Sequence, residues 1–226
     1  QIGYMMLALG AAGLSSGAFV EGLTAGVFHL ISHALFKAAL FLCAGSILHA
    51  VESIYMTDMG GLKKYMPITH AFMLIAALSL SGIPPLSGFW SKDAVFKACL
   101  TAGTPLALVM FAFGAVTAAM TFFYSLRFIA MTFYGEESKH IKHLKHEGVH
   151  IHEAPAVMWV PYGILVALVI LVGVSGYWFE HFLHHTFDHW IAHLIPAHGG
   201  EVHTIAYAAN GSLPVTTIAL ATSAAM

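Results

Sequence analysis

This sequence has very little charge and almost no cysteine. Of its 226 residues, 9% are charged and 58% are hydrophobic, and the formal net charge is −2 at pH 7. A chain of this kind offers no basic patch to a polyanion, so we exclude nucleic-acid binding. Cys43 and Cys99 lie far apart in apolar stretches, which excludes a disulfide framework and a paired metal ligand. The composition is typical of a polytopic membrane protein.

The amino terminus also lacks a basic region and a cleavage site, so we expect no signal peptide. The chain is apolar from Ile2 onwards and is apolar again over its last residues. We therefore expect a piece of a longer protein that begins and ends inside helices.

Long apolar runs predict an all-α polytopic membrane fold. A helix of about 20 apolar residues crosses the hydrocarbon core of a bilayer. We expect a partial sixth transmembrane helix from about residue 204 and five full ones, at 2–19, 23–50, 67–99, 104–134 and 156–179. The chain then divides into a unit with the first four spans, a histidine-rich loop and the carboxy-terminal helices, at 1–135, 136–155 and 156–226.

Lysine residues in the connecting segments indicate the orientation of the helices. The connections at 51–66 and 135–155 contain lysine, whereas those at 100–103 and 180–203 contain neither lysine nor arginine. Because positively charged loops stay on the cytoplasmic side, we expect 51–66 and 135–155 to face the cytoplasm or its equivalent. Span 23–50 should then run from outside to inside.

The third span is interrupted between residues 81 and 88, where the sequence reads SGIPPLSG. Pro84 and Pro85 have no backbone N–H, and Gly88 tolerates non-helical angles, so we expect a broken helix. Unpaired backbone groups survive at membrane depth only inside protein or beside water, and broken helices mark ion sites in transporters. A simple proline kink is the alternative.

Residues 181–195 predict an amphipathic helix that lies on the membrane surface or against a partner. Its apolar face would carry Phe182, Leu183, Phe187, Trp190, Ile191 and Leu194. Its polar face would carry His181, His184, His185, Asp188, His189 and His193. This segment has no Lys or Arg, so we expect weak attraction to anionic lipid.

His29, His33 and Lys37 occur at intervals of four residues inside the span 23–50. Their side chains therefore follow one helix face in steps of about 6 Å. An ionisable residue near the middle of a span costs about 2.5–3.5 kcal/mol, so three on one face call for a function. Imidazole and amine groups at this spacing can pass protons through single waters, which predicts proton translocation. The alternative is that two of the three are structural groups bonded to a neighbouring helix.

Lys92 and Asp93 directly follow the predicted break. We favour a protonatable lysine beside unwound backbone over a structural pair with Asp93 or a lysine that reaches the outer surface. Arg127 and Lys97 lie towards the ends of their spans, and we interpret them as interfacial anchors.

The loop at 136–155 contains His140, His143, His146, His150 and His152. Imidazole is a common zinc ligand, but no cysteine accompanies these residues and lysines alternate with them. We therefore assign no metal ligands in this sequence.

Ordered motifs carry a family resemblance. They read HLISHALFKAALFL at 29–42, DMGGLKK at 58–64, LSGIPPLSGFWSKD at 80–93, FFYSLR at 122–127 and FYG at 133–135. Together they resemble the antiporter-like L subunit of proton-pumping NADH:quinone oxidoreductase, respiratory complex I. The resemblance covers roughly residues 1–180.

This resemblance implies a proton-translocating subunit of a redox-driven translocase that does no redox chemistry itself. The chain would be the second of two inverted five-helix repeats, followed by the start of the carboxy-terminal helices. His29, His33 and Lys37 would belong to a central hydrophilic axis, and Lys92 would be the lysine of the broken helix near the exit half-channel. Supporting roles would fall to Asp93, Pro84, Pro85, Gly88 and Arg127.

No cofactor is expected on this chain. NADH or another reduced donor, FMN, iron–sulfur clusters and quinone would belong to partner subunits. The partners would be the other membrane and redox subunits of the complex and the lipid bilayer. A bacterial or archaeal cell membrane, or an organelle inner membrane, is the expected location.

Three alternatives stay open at this point. Multisubunit sodium/proton antiporters share these motifs, so the same residues could exchange Na⁺ for protons without a redox partner. A zinc transporter would use the histidine-rich loop, although Lys37 would repel a divalent cation. A scaffold without transport activity would tolerate apolar residues in place of the buried charges.

Overall fold

The computed structural model describes residues 1–194, so the partial sixth span predicted from about residue 204, and the last residue of the predicted segment 181–195, lie outside the described residues. Within this part of the chain the structure is helical and has no strand, which confirms the all-α class. Its α-helices are α1 Ile2–Leu14, α2 Phe19–Val51, α3 Pro67–Ser81, α4 Ser87–Ala102, α5 Pro105–Phe133, α6 Lys139–His146, α7 Ala156–Val174 and α8 Gly176–Leu194.

Three helical segments of the described chain are long and apolar enough to cross a membrane: Ser16–Val51, Pro105–Phe133 and Ala156–Val174. Helix α1 has 13 residues, because Ser15 adopts an extended conformation at its end. Helices α3 and α4 have 15 and 16 residues, and about 17–25 are needed for a single crossing. The predicted count of five full crossings and the orientation stay predictions.

Helix α2 is the centre of the fold. It runs without interruption for 33 residues and ends where Glu52 takes a left-handed conformation with φ 56° and its N–H bonds the Leu48 carbonyl. Helices α1, α3, α4, α7 and α8 all pack against it. One apolar core lies between α2, α3, α5 and α7 around Phe36, and a second lies between α1, α2 and α4 around Phe28. Burial of each phenylalanine stabilises the fold by about 1.5–3 kcal/mol.

The break expected at 81–88 separates α3 from α4. Helix α3 ends at Ser81, and the next residue, Gly82, has φ 85° and donates its N–H to the Ser79 carbonyl, while Ile83 donates to the Leu78 carbonyl. These two hydrogen bonds form a Schellman motif, which requires a left-handed residue such as glycine at the helix end. The two prolines follow at once, and α4 starts at Ser87.

The histidine-rich loop contains the short helix α6, which is bound to the rest of the protein. Ser138 caps it by accepting the Ile141 N–H, and Ile141 and Leu144 are buried beneath it. The His140 Nε2 lies 2.9 Å from the Val51 carbonyl oxygen. Hydrogen bonds from Lys64 and Tyr65 lower the pKa of Glu137 to about 2.

Helix α8 begins at Gly176, five residues before the predicted amphipathic segment, and only Ser175 separates it from α7. Phe179 and Leu183 pack against the second core. Phe182 and Trp190, which the sequence placed on the same apolar face as Leu183, are 63% and 56% exposed. The apolar face is therefore only partly covered by the described residues.

Candidate functional site

Lys92 is the deeply buried lysine of the described chain, with 1% of its surface exposed. Its Nζ donates a hydrogen bond of 2.7 Å to the Leu80 carbonyl oxygen. In an unbroken helix this carbonyl would accept the N–H of residue 84, but residue 84 is proline and has none. The break therefore frees a backbone acceptor in the protein interior, and the lysine of α4 occupies it.

The end of α3 also favours a positive charge at this point. The carboxy-terminal end of a helix carries a partial negative charge, which stabilises a nearby cation by about 0.3–1 kcal/mol. Gly82 leaves room for the approaching side chain, since a Cβ at this position would lie 3.2 Å from Cδ of Lys92. The break therefore provides what the Lys92 side chain needs. Pro84 leaves the acceptor free, and Gly82 leaves the space.

His29 of α2 lies near Lys92 and is completely buried. Its Nδ1 is 3.0 Å from Oγ of Ser91, the residue that precedes Lys92. Its Nε2 is 3.0 Å from Oε1 of Gln1. The amide oxygen of Gln1 accepts, so Nε2 of His29 donates to it while Nδ1 accepts from the Ser91 hydroxyl. Such a histidine can take a proton on one nitrogen and release one from the other.

Tyr4 of α1 lies near both Lys92 and His29. Its ring centroid lies 5.4 Å from the Lys92 Nζ and 5.4 Å from the His29 ring centroid. Its hydroxyl donates a 2.8 Å hydrogen bond to the Gly114 carbonyl of α5, which fixes the ring. An aromatic face within about 6 Å of an ammonium group attracts it. Helices α1, α2, α3 and α4 therefore all contribute to the surroundings of Lys92.

His33 and Lys37 continue the line along α2 towards a cavity. The His29 and His33 rings are stacked, with centroids 6.4 Å apart. His33 and Lys37 are both half-buried. Lys37 is 5.8 Å from the Phe41 ring centroid and lines a cavity of about 520 Å³, together with apolar residues and Tyr124. The structure thus brings His29, His33, Lys37 and Lys92 into one row, with Lys37 at its more open end.

The supporting residues have different positions. Gly88 lets α4 approach α3, because its N–H bonds Oγ of Ser79 at 3.1 Å and a Cβ there would overlap the Ser79 carbonyl oxygen. Pro84 and Pro85 form the break itself. Asp93 is half-buried on α4, and Arg127 is exposed on α5, so the structure does not bring Arg127 into the row.

A second group of charged residues was missed by the sequence analysis. Lys97, interpreted as an anchor, lies 3.8 Å from a Glu21 carboxylate oxygen and 3.9 Å from a Glu180 carboxylate oxygen. The other oxygen of Glu21 is buried without a hydrogen-bond partner. Burial raises the pKa of Glu180 to about 7, although the Lys97 charge acts in the opposite direction.

The only sequence signal for this group is local. Lys97 follows Asp93 by four residues, so the two lie on one face of α4. Glu21 and Glu180 come from α2 and α8, and nothing in the sequence pairs them with α4. Along residues 1–194, no group of three or more His, Cys, Asp and Glu side chains is arranged to hold a metal ion.

The chain matches known proteins over most of its length. The sequence signature of the NADH:quinone oxidoreductase/Mrp antiporter transmembrane family matches residues 1–121. NADH-quinone oxidoreductase subunit L of Rickettsia bellii is 40% identical over 178 residues, which is 79% of this chain and 25% of that protein. F(420)H(2) dehydrogenase subunit L of Methanosarcina mazei is 40% identical over 202 residues, which is 86% of this chain and 28% of that protein.

Solved structures agree with these sequence matches. A chain of the membrane-bound sulfane sulfur reductase, an archaeal respiratory membrane complex, matches with a TM-score of 0.59 and 35% identity, over 68% of this chain and 24% of that chain. This chain spans about a quarter of the length of the curated relatives named above. The broken helix and these matches lead to one conclusion: the chain belongs to the NADH:quinone oxidoreductase/Mrp antiporter transmembrane family.

Proposed function

We propose that this chain forms part of the proton path in the membrane arm of a redox-driven NADH:quinone oxidoreductase-type complex. The observation that carries the proposal is the burial of Lys92 against the free backbone carbonyl of Leu80. Lys92 directly follows Ser91, which is within hydrogen-bond distance of His29. The names of the two relatives support a dehydrogenase complex. The electron donor, FMN, iron–sulfur clusters and quinone would belong to partner subunits.

Lys92 would be the site where a proton is held. A buried ammonium group is costly, and a single neutral carbonyl offsets only part of that cost. The balance between its charged and neutral forms is therefore sensitive to any change in nearby charge. A redox step elsewhere in the complex that moves charge along the membrane arm would make Lys92 gain or release its proton.

The histidines would supply and remove this proton. Water in the cavity beside Lys37 would deliver a proton to Lys37 and then to His33, whose ring is half-buried. From His33 it would reach His29, with ring centroids 6.4 Å apart, when a water molecule takes the place of the Gln1 amide at Nε2. Ser91 and Lys92 would follow, because Oγ of Ser91 lies within hydrogen-bond distance of Nδ1 of His29.

Lys97, Glu21 and Glu180 would form the outer end of the path. The lysine-containing loops predict that the start of α2 and the end of α4 face the outer side. Lys97 lies on α4 five residues after Lys92, and two carboxylates reach it from α2 and α8. A proton leaving Lys92 would thus meet carboxylates before it meets the outer solution.

The test is Lys92→Ala in the complete complex, reconstituted into sealed vesicles. We expect quinone reduction to continue while proton uptake into the vesicles per electron falls severely. Lys142→Ala is the matched control, since Lys142 is an exposed lysine of α6, and it should pump normally. Undiminished proton pumping by Lys92→Ala would refute the proposal.

Sodium/proton exchange is the second candidate function, because the family includes Mrp antiporters. The subunits that co-purify with this chain distinguish the two functions. Redox subunits support the first candidate, and small antiporter subunits together with Na⁺-dependent proton movement support the second.

A further inference from the structure

Helix α8 carries a ladder of histidines outside the proton path. His181, His185, His189 and His193 follow one another at intervals of four residues, so they lie on one face of the helix. The helix has no Lys or Arg, and its ionisable residues other than histidine and tyrosine are Glu180 and Asp188. Nothing cationic on this helix would therefore repel a bound cation.

The last two histidines of the ladder are arranged as a pair of ligands. The Nε2 atoms of His189 and His193 are 3.3 Å apart, and both rings are exposed. Their ring centroids lie 4.5 Å apart, and the two ring planes make an angle of 67°. Two imidazole nitrogens bound to tetrahedral zinc at about 2.0–2.1 Å are separated by about 3.3–3.4 Å. The observed separation of the two nitrogen atoms is close to this value, so rotation of the rings would be enough for both to bind one ion.

We propose that His189 and His193 bind a divalent transition metal ion such as Zn²⁺ on the surface of α8. Imidazole nitrogen suits zinc, copper and nickel, and water would complete the coordination. Binding would stabilise the last turn of α8, because a metal ion that bridges positions i and i+4 requires the helical conformation. The site is separate from the proton path and does not depend on the proposed function.

The histidine-rich segment 136–155 is less suited to this role. The His140 nitrogen bonds the Val51 carbonyl, and Nδ1 of His152 lies 2.8 Å from the Glu153 carbonyl oxygen. His143 faces Glu147 at 3.3 Å and is surrounded by lysines in sequence. Metal binding at 189 and 193 can therefore be told apart from binding at 143.

Zn²⁺ titration of the purified chain in nanodiscs by calorimetry tests the proposal. We expect one bound ion per chain, and at least about tenfold weaker binding for His193→Ala and for His189→Ala. His143→Ala, which removes an exposed histidine from another i, i+4 pair, should bind as the wild type does. Circular dichroism without metal verifies that each variant keeps its helix content.

Cu²⁺ provides a second measurement. Its electron paramagnetic resonance spectrum should show two equatorial imidazole nitrogens in the wild-type chain and one or none in His193→Ala. Equal Zn²⁺ affinity of the wild type and both variants would overturn the proposal, as would loss of binding in His143→Ala alone. In either case the 3.3 Å contact would be a hydrogen bond between two imidazoles and nothing more.

Discussion

Replacement of Gly88 by alanine tests how the broken helix holds its lysine. Gly88 lies in the first turn of α4, four residues before Lys92, and its N–H bonds a side chain of α3. An added Cβ would overlap the Ser79 carbonyl oxygen, and a second Ser79 atom, Oγ, would lie 3.3 Å away. These are atoms of a helix backbone and of a short side chain that already bonds the Gly88 N–H at 3.1 Å.

The expected cost follows from these contacts. The overlap cannot be relieved by a flexible side chain, so α4 must shift away from α3. Overpacking of a well-packed interior costs about 1–3 kcal/mol. The better helix propensity of alanine returns only about 0.5–1 kcal/mol. We therefore expect net destabilisation, together with a lengthening of the 2.7 Å hydrogen bond between Lys92 and Leu80.

The assay is unfolding of the purified chain in detergent micelles, with Gly45→Ala as the matched control. Gly45 lies inside α2, and no neighbouring atom lies within 4 Å of the position that an alanine Cβ would take there. Alanine at this position should therefore stabilise the chain by about 0.5–1 kcal/mol. Gly88→Ala should lower the unfolding midpoint and Gly45→Ala should raise it. Equal midpoints for the two variants would refute the close contact of α3 and α4 at Gly88.

Three further outcomes are expected. Gly173→Ala should destabilise by about 1–3 kcal/mol, because its Cβ would overlap the Pro85 carbonyl; an unchanged unfolding midpoint would contradict the packing of α7 on the break. The pKa of Glu180 is raised from 4.5 to about 7, so the contribution of its protonated form to folding stability is complete below pH 4.5 and is lost as the pH rises through about 7. The thermal unfolding midpoint should therefore fall over this pH range in the wild type and fall less in Glu180→Gln. Parallel midpoint-against-pH profiles for the two proteins would refute this. Tyr65→Phe should lower the free energy of unfolding by about 0.5–1.5 kcal/mol, because it removes the 2.6 Å hydrogen bond to Glu137. Chemical unfolding measures this loss, and Tyr55→Phe is the control, since the Tyr55 side chain is 64% exposed.

Local chemistry in the sequence was enough to predict the break. Pro84 and Pro85 lack N–H groups wherever they occur, and Gly82 favours a helix end, so the interruption of α3 does not depend on distant residues. The spacing of His29, His33 and Lys37 likewise fixes their common face once α2 is helical.

Burial was harder to predict, because it depends on which helices pack together. Lys37 occupies the middle of its span, yet it is half-buried beside a cavity. Lys92 is buried instead, since α1 and α3 close over α4 at its position. The contacts of Lys97 with Glu21 and Glu180 join residues from three helices, and no sequence pattern within one helix predicts them.

Proton pumping by a double variant shows whether His29 and Lys92 serve one path. His29→Ala, Lys92→Ala and the combination of both are compared with the wild type in the reconstituted complex, as protons translocated per electron. If both residues serve one path, the double variant should pump no worse than the poorer single variant, because effects within one unit are not additive. Losses that multiply in the double variant, or normal pumping by either single variant, would contradict a shared path through these two residues.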